Sequence, residues 1–256
     1  MLKILVCVKQ VPDVNLVKID PETGSLIRQG VPSILNPLDC NALEAAVQLK
    51  EKYGGEITCI TMGPDMAEEA LRECLAAGGD NAVLLSDRAF ANADTLATSY
   101  VLRTAAKALG DFDLIFCGKE SLDGATGQMA AQLAERFEAN QVSSVSLIKE
   151  LNTEDKYVIA DREMEGGIQT VKAQYPCLFT IEKTNYTPRI PNLKNWKKSR
   201  TLEITRLNSK TIEGLETDKI GDPGSPTKVP RTYPPETGKI GHMLSSVEEL
   251  VEVLYE

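Results

Sequence analysis

Histidine occurs only once in the 256-residue chain, at His242, far along from any candidate nucleophile. No Ser-His-Asp or Cys-His arrangement can be assembled around it, so the usual agent of acid–base chemistry is missing. The six cysteines (Cys7, Cys40, Cys59, Cys74, Cys117, Cys177) form no CxxC pair, and no metal site is expected. Several sit in apolar, strand-like runs where cysteine acts as a small hydrophobe, which fits a reduced, cytoplasmic setting. Positive charge is also short: 28 Lys and Arg against 37 Asp and Glu leave a net −9. That balance disfavours nucleic acid and anionic membrane surfaces as partners. No apolar run is long enough to span a bilayer, and "MLKILVCVKQ" turns charged too early for a signal peptide. Two phosphate motifs are absent as well. Lys119 follows a glycine but Glu120 stands where GxxxxGK[ST] needs a hydroxyl, and no GxGxxG follows the first strand. A P-loop ATPase and a standard dinucleotide fold are excluded.

What is present is an alternation of strands and helices. The first strand is "LKILVCV", Leu2 to Val8, followed by a hairpin-like insert with turn chemistry in "PETG". Asn36 and Pro37 open a helix that Gly54 and Gly55 end. "EITCITM" is the second strand; Asp65 and Glu68 have capping-box spacing at the next helix, which runs to Gly78 and Gly79. "NAVLLS" is the third strand, with a helix from Asp94 to Leu109 behind it. "FDLIFC", Phe112 to Cys117, is the fourth, and "VSSVSLI", Val142 to Ile148, the fifth. Continuous apolar strands separated by crossover helices predict an α/β fold: a five-stranded, parallel, doubly wound sheet. With strand order 3-2-1-4-5, the reversal that marks a ligand crevice lies between strands one and four. "CVKQVPD" and "GKESLDGATGQ" then converge on one place.

The second of these segments has the chemistry of a phosphate loop. Gly118, Gly124 and Gly127 allow close backbone approach and positive φ. The N–H groups near Thr126, Gly127 and Gln128 start a helix, where free donors meet the positive end of the dipole. Ser121 and Thr126 add hydroxyls, and Asp123 can cap the turn or accept from a ribose. The plain alternative is a capped helix with a flexible lead-in. With no acid–base apparatus, a bound cofactor has to carry any redox chemistry.

Five segments in order resemble the beta subunit of electron-transfer flavoproteins over essentially the whole chain. They are "VCVKQVPD" (Val6 to Asp13), "NPLDCNALEAAVQLKE" (Asn36 to Glu51), "GKESLDGATGQ" (Gly118 to Gln128), "DREMEGGIQTVK" (Asp161 to Lys172) and "TPRIPNLKNWKKS" (Thr187 to Ser199). The resemblance implies an adenine-nucleotide-binding sheet paired with an alpha subunit that carries its own FAD. It implies a nucleotide held by Cys7, Val8 and Lys9; by Asn36, Leu38 and Asp39; and by Met62 and Gly63. In the loop it implies Gly118, Glu120, Ser121, Leu122, Asp123, Gly124, Ala125, Thr126, Gly127 and Gln128. Simple carriers of the family hold AMP there and bifurcating members hold FAD. "VKQVPDVNLVK" is similar to the bifurcating type, whereas AMP binders tend toward "VKRVIDYNVK". "SLDGATGQ" is shorter than the acid-rich loop of AMP binders and departs from the "AIDGDTAQ" common in bifurcating members. The leading expectation is therefore FAD in the beta site and NADH as electron donor. Ferredoxin and a flavin dehydrogenase, acting on an acyl-CoA or a 2-hydroxy acid such as lactate, are the acceptors. A single-flavin carrier with AMP, and a regulatory nucleotide-binding module similar to universal stress proteins, stay open as alternatives.

Beyond residue 150, "YVIADREMEGGIQTVKAQ" reads as a hairpin bent at "EGG". By the resemblance its Arg162 and Glu163 face the alpha subunit's flavin domain; the alternative is a solvated charged pair. Tyr186 to Arg200 gathers five cations around Ile190, Leu193 and Trp196, the pattern of a transient docking patch for the dehydrogenase. A loop with an incidental core Trp is the alternative. The domain is expected over 1–220. An extended arm, 221–256, would follow, beginning in the Pro/Gly-rich "GDPGSPTKVPRTYPPETGK" and ending in "SSVEELVEVLYE". Ser246 and Glu249 have capping-box spacing there, with Val247, Leu250, Val251 and Leu254 on one stripe to clasp the alpha subunit.

Overall fold

The computed structural model describes residues 1–13, 18–19, 26–27, 31–183, 185–230, 241 and 243–255. The "PETG" turn, His242 and residues 231–240 of the proline-rich stretch lie outside the described residues. The chain opens with β1 (Lys3–Cys7), β2 (Gln10–Pro12), β3 (Lys18–Ile19), β4 (Leu26–Ile27) and β5 (Ser33–Leu35). β3 and β4 pair antiparallel, as an insert hairpin requires. Helix α1 (Pro37–Tyr53) has Pro at its first position, where the missing N–H costs nothing, and stops at Gly54 with φ 75°. Then come β6 (Glu56–Met62), α2 (Glu68–Ala77), β7 (Asn81–Leu85), α3 (Thr95–Leu109), β8 (Leu114–Gly118) and α4 (Met129–Arg136). β9 (Asn140–Asn152), β10 (Tyr157–Met164), β11 (Gly167–Gln174) and β12 (Cys177–Ile181) complete the sheet's second half. α5 (Leu193–Thr201), β13 (Thr205–Leu207) and α6 (Val247–Tyr255) end the chain.

One nine-stranded sheet runs β11-β10-β9-β12-β8-β1-β6-β7-β13. It is parallel from β13 to β9. The β9–β10–β11 extension is antiparallel, with the hairpin bend at Glu165 and Gly166. β1 lies between β6 and β8, so the reversal between strands one and four is where the sequence put it. The neighbour of strand four differs from expectation. Val142 to Ile148 belongs to β9 and stands one place farther out, while β12 fills the slot beside β8. All five residues of β12 are buried, whereas β9 alternates buried and exposed positions. A strand covered on both faces is a near-continuous apolar run, and β12, apolar but for Thr180, is the better occupant.

Alternate residues of each strand enter two cores. Ile4, Val6, Ile57, Leu84 and Phe116 face α1 and α2. Leu5, Cys7, Ile60, Ile115 and Cys117 face α3 and α4. Two local expectations also change. Asp65 and Glu68 make no capping box, since a 3-10 turn precedes α2 and neither start has a side-chain cap. Both carboxylates bind Arg206 instead, which comes in with the edge strand β13. Within the segment expected to be the arm, Ser225 is buried, just beyond the buried Ile220 of the expected domain.

Candidate functional site

The site is built around the adjacent carboxyl ends of β1 and β8, where Cys7 and Cys117 are register partners. The first turn of α1 stitches these ends together. Asp39 accepts the Lys9 N–H at 2.8 Å on one carboxylate oxygen and the Gly118 N–H at 3.1 Å on the other. Asn36, expected as a helix cap, makes no capping bond. Its amide nitrogen donates to the Glu120 carbonyl at 2.9 Å, and its oxygen accepts from the Leu122 N–H at 3.3 Å. Gly118 is obligatory here: a Cβ would lie 2.8 Å from the Asp39 nitrogen, so helix and strand touch only because the side chain is absent.

Asp39 is buried, and burial raises its carboxyl to about 7 against the pull of the Lys9 and Gly118 N–H groups. The sign follows from linkage. Between about pH 4 and 7 the folded chain holds a proton that the unfolded chain has released, so this group's contribution to stability falls as pH rises through that window. We expect Asp39→Asn to remove that slope, an effect of at most about 4 kcal/mol. Urea midpoints of wild type and variant at pH 5 and pH 8 check it. An unchanged difference between the two proteins at both values would assign the slope elsewhere.

A cavity of about 810 Å³ opens above this floor. Of the expected residues, Cys7, Val8, Lys9, Asn36, Asp39, Met62, Gly118, Glu120, Ser121, Gly124, Thr126, Gly127 and Gln128 line it together. Leu38, Gly63, Leu122, Asp123 and Ala125 fall outside the lining. Gly63 donates to the Leu85 carbonyl, and Ala125 to the Ser121 carbonyl. Asp123, outside the lining, holds Lys9 through both oxygens at 2.8 Å. Burial pushes its carboxyl up, but the Lys9 ammonium and the Ser121 hydroxyl outweigh that and hold it below the usual carboxylate range.

Gly127 takes φ 61° at the turn into α4, whose start carries no side-chain cap. Among the described residues, the N–H groups of Thr126, Gly127 and Gln128 meet no acceptor. Consecutive free donors at a helix start, lining a cavity, suit a phosphate. The cavity contains no dyad able to abstract or deliver a proton, since Asp39 is committed to two N–H groups.

A second wall was not read from the sequence. Phe90, Asn92, Ala93, Asp94, Thr95, Thr98 and Leu102 line the cavity from β7 into α3. Asp94 caps α3 by accepting the Ala97 N–H at 3.0 Å. The signal was available, because loops after all parallel strands gather at the same end of a sheet. Lys119, Met129 and Ala130 line it too, as do Asp222, Thr227, Lys228 and Val229 from the segment assigned to the arm.

Elsewhere, three apolar residues stand in solvent: Ile190 is 94% exposed, Leu193 66% and Trp196 47%. Trp196 is therefore no core residue. The loop is firmly held beneath them. Arg189 reaches Glu44 at 2.8 Å and Glu51 at 2.6 Å, and Arg72 donates to the Ser199 carbonyl at 2.6 Å near the end of α5. Arg162 donates to Ser143 at 2.8 Å while its Nε is buried without a partner, and Glu163 is exposed beside it. None of the residues of α6 is buried. Among the described residues no helix is long and apolar enough to cross a membrane.

Comparison with known proteins adds an independent line. The family described as "Electron transfer flavoprotein domain" matches residues 23–212. Subunit CarD of the caffeyl-CoA reductase-Etf complex of Acetobacterium woodii is 45% identical over 95% of this chain and 92% of its own. The electron transfer flavoprotein subunit beta of Thermoanaerobacterium thermosaccharolyticum is 43% identical over 100% of this chain and 97% of its own. Protein FixA of Azotobacter vinelandii is 41% identical, with 91% and 84% covered.

Proposed function

This chain belongs to the electron transfer flavoprotein family, among its beta subunits, and on that premise we propose that its cavity holds FAD in a bifurcating heterodimer. Such a heterodimer passes electrons from NADH to ferredoxin and to a flavin dehydrogenase. The observation that carries the reading is the cavity at the switch point. At about 810 Å³ it sits in the upper part of the roughly 300–1,000 Å³ range of ligand pockets, with room beyond a mononucleotide. Free N–H groups at Thr126 to Gln128 fit a pyrophosphate, the "VKQVPD" segment favours the bifurcating type, and CarD, a subunit of a reductase-Etf complex, supports a dehydrogenase partner.

When bound, the flavin supplies hydride and single-electron chemistry. The chain's own residues do the holding. The loop from Gly118 to Gln128 grips the phosphates, while Asp39 and Asn36 keep that loop at a constant distance from β1. Cys7, Cys117, Met62 and Phe90 supply an apolar floor that excludes water. The alpha subunit covers the hairpin around Arg162 and Glu163 and takes the terminal helix; the domain ends near Val229 and the arm begins beyond it.

The test is stoichiometry. FAD and AMP are counted per purified heterodimer, and NADH is then added anaerobically with ferredoxin and the dehydrogenase's oxidised substrate. We expect two FAD, no AMP and ferredoxin reduction that requires the second acceptor. One FAD with one AMP, and no coupled reduction, would replace this reading with that of a simple carrier.

The exposed patch on the Arg189 clamp is the docking surface for the dehydrogenase. Ile190→Ala is expected to slow transfer to the dehydrogenase about tenfold, since a buried apolar anchor contributes about 1.5–3 kcal/mol. NADH oxidation by an artificial dye stays unchanged. Equal loss of both rates would indicate misfolding rather than lost docking.

A further inference from the structure

We propose that residues 220–229 form a strap that completes the nucleotide site, with Lys228 as a phosphate-binding side chain supplied from the root of the arm. This rests on the nucleotide reading of the cavity and extends it to a segment outside the sheet's own loops. The composition "GDPGSPTKV" suggests a free linker, yet the segment is built into the domain. Ser225, only 3% exposed, accepts the Asp94 N–H at 2.8 Å and donates to the Gly221 carbonyl at 2.6 Å. The Thr227 N–H donates to the second oxygen of Asp94 at 3.0 Å, so one carboxylate caps α3 and anchors the strap together. Gly221 has φ 54°, and a Cβ there would collide with the Ala89 carbonyl; Gly224 has no room for one either. A tether needs none of these features.

The anchoring brings Asp222, Thr227, Lys228 and Val229 to the cavity wall. Three lysines line that wall, and two are committed. Lys9 is held by both oxygens of Asp123, and Lys119 pairs at 3.0 Å with the largely buried Glu182. Lys228 donates to the Asp222 carbonyl at 2.5 Å and pairs at 3.1 Å with its carboxylate, but both side chains are more than half exposed. Water screens such a pair to little net value, so the ammonium turns to a stronger anion at low cost. The cavity also contains Asp39, Asp94, Glu120 and Asp222, and a phosphate entering it gains from an exposed cation on the strap. The strap continues toward the partner-clasping helix, so nucleotide and partner meet on one segment.

Binding of AMP and of FAD to the full-length chain, measured by calorimetry at low and high salt, tests this. Lys228→Ala is expected to weaken both at least about tenfold and to flatten the salt dependence, with Lys228→Arg restoring most of the affinity. Gly221→Ala, which lifts the strap but keeps the lysine, is expected to weaken them as well. Hydrogen exchange at Ser225 to Thr227 is expected to slow when AMP is added to wild type. Wild-type affinity in both Lys228→Ala and Gly221→Ala, with unchanged exchange, overturns the strap and leaves the nucleotide site standing. Failure of wild type itself to bind either nucleotide overturns the site and the strap together.

Discussion

Replacing Gly127 with valine will abolish nucleotide retention while leaving the domain folded. Gly127 sits at φ 61°, a left-handed conformation that a β-branched residue resists by about 1–2 kcal/mol. A Cβ at this position would have the Lys119 carbonyl oxygen as its nearest neighbour, at 4.0 Å, so the protein itself leaves space. The damage comes from two other sources. The loop relaxes toward negative φ, turning the Thr126 to Gln128 N–H groups away from a common point. The branched side chain also fills the space through which a phosphate approaches. Losing two N–H bonds to a charged group, at about 1.5–3 kcal/mol each, reduces affinity by more than about a hundredfold. Gly127 is exposed and belongs to neither core, so the thermal midpoint should move little. The measurement is nucleotide released on denaturing the purified variant. Asparagine, which tolerates positive φ, should retain more than valine. Wild-type content in the valine variant would take the loop out of the site.

Ending the chain after Val229 is the second change with a large expected effect: the truncated chain should fold and bind nucleotide but fail to assemble with the alpha subunit. A nine-residue helix is too short to be stable alone in water. Its cap is nonetheless well made, since the Glu249 N–H donates to Ser246 at 3.1 Å and the Glu249 carboxylate takes the Ser245 N–H at 2.7 Å. Val247 and Leu254 are each 71% exposed, with Leu250 and Val251 about half exposed between them. Burying what these four side chains still expose contributes on the order of 3–7 kcal/mol before the cost of ordering the tether. Removing that term lowers the affinity of the heterodimer by at least about a hundredfold. The truncation spares the strap and all cavity-lining residues, so nucleotide binding acts as the folding control. Serine at the four positions in the full-length chain should reproduce the loss. Co-purification of the truncated chain with the alpha subunit at undiminished yield would mean the helix grips nothing.

How far the residues alone carry is clear from particular elements. The alternation of strand and helix, the stops at Gly54 and Gly78, the helix beginning near Asp94 and the hairpin bent at Gly166 were all legible, because each depends on neighbours within a few positions. That the loop from Gly118 to Gln128 lines a cavity at a helix start was legible for the same reason: glycines, hydroxyls and a helix start lie in one run. The order of the sheet was legible only as far as strand four. β12 takes the next place because, after the excursion through β9 to β11, it is the strand, apolar but for Thr180, that can stand buried on both faces. Asn36, Asp65 and Glu68 look like caps in sequence, and a cap is only one of the partners open to a polar side chain. In the folded chain, Glu120 and Leu122 claim Asn36, and Arg206, 141 residues beyond Asp65, claims the other two. The segment from Gly221 to Val229 has the composition of a tether, and only contact with Asn92 and Asp94 makes it a wall. Local pattern sets which backbone conformations are cheap. Which of several possible hydrogen bonds is made depends on groups brought together from distant parts of the chain, and only the tertiary structure decides that.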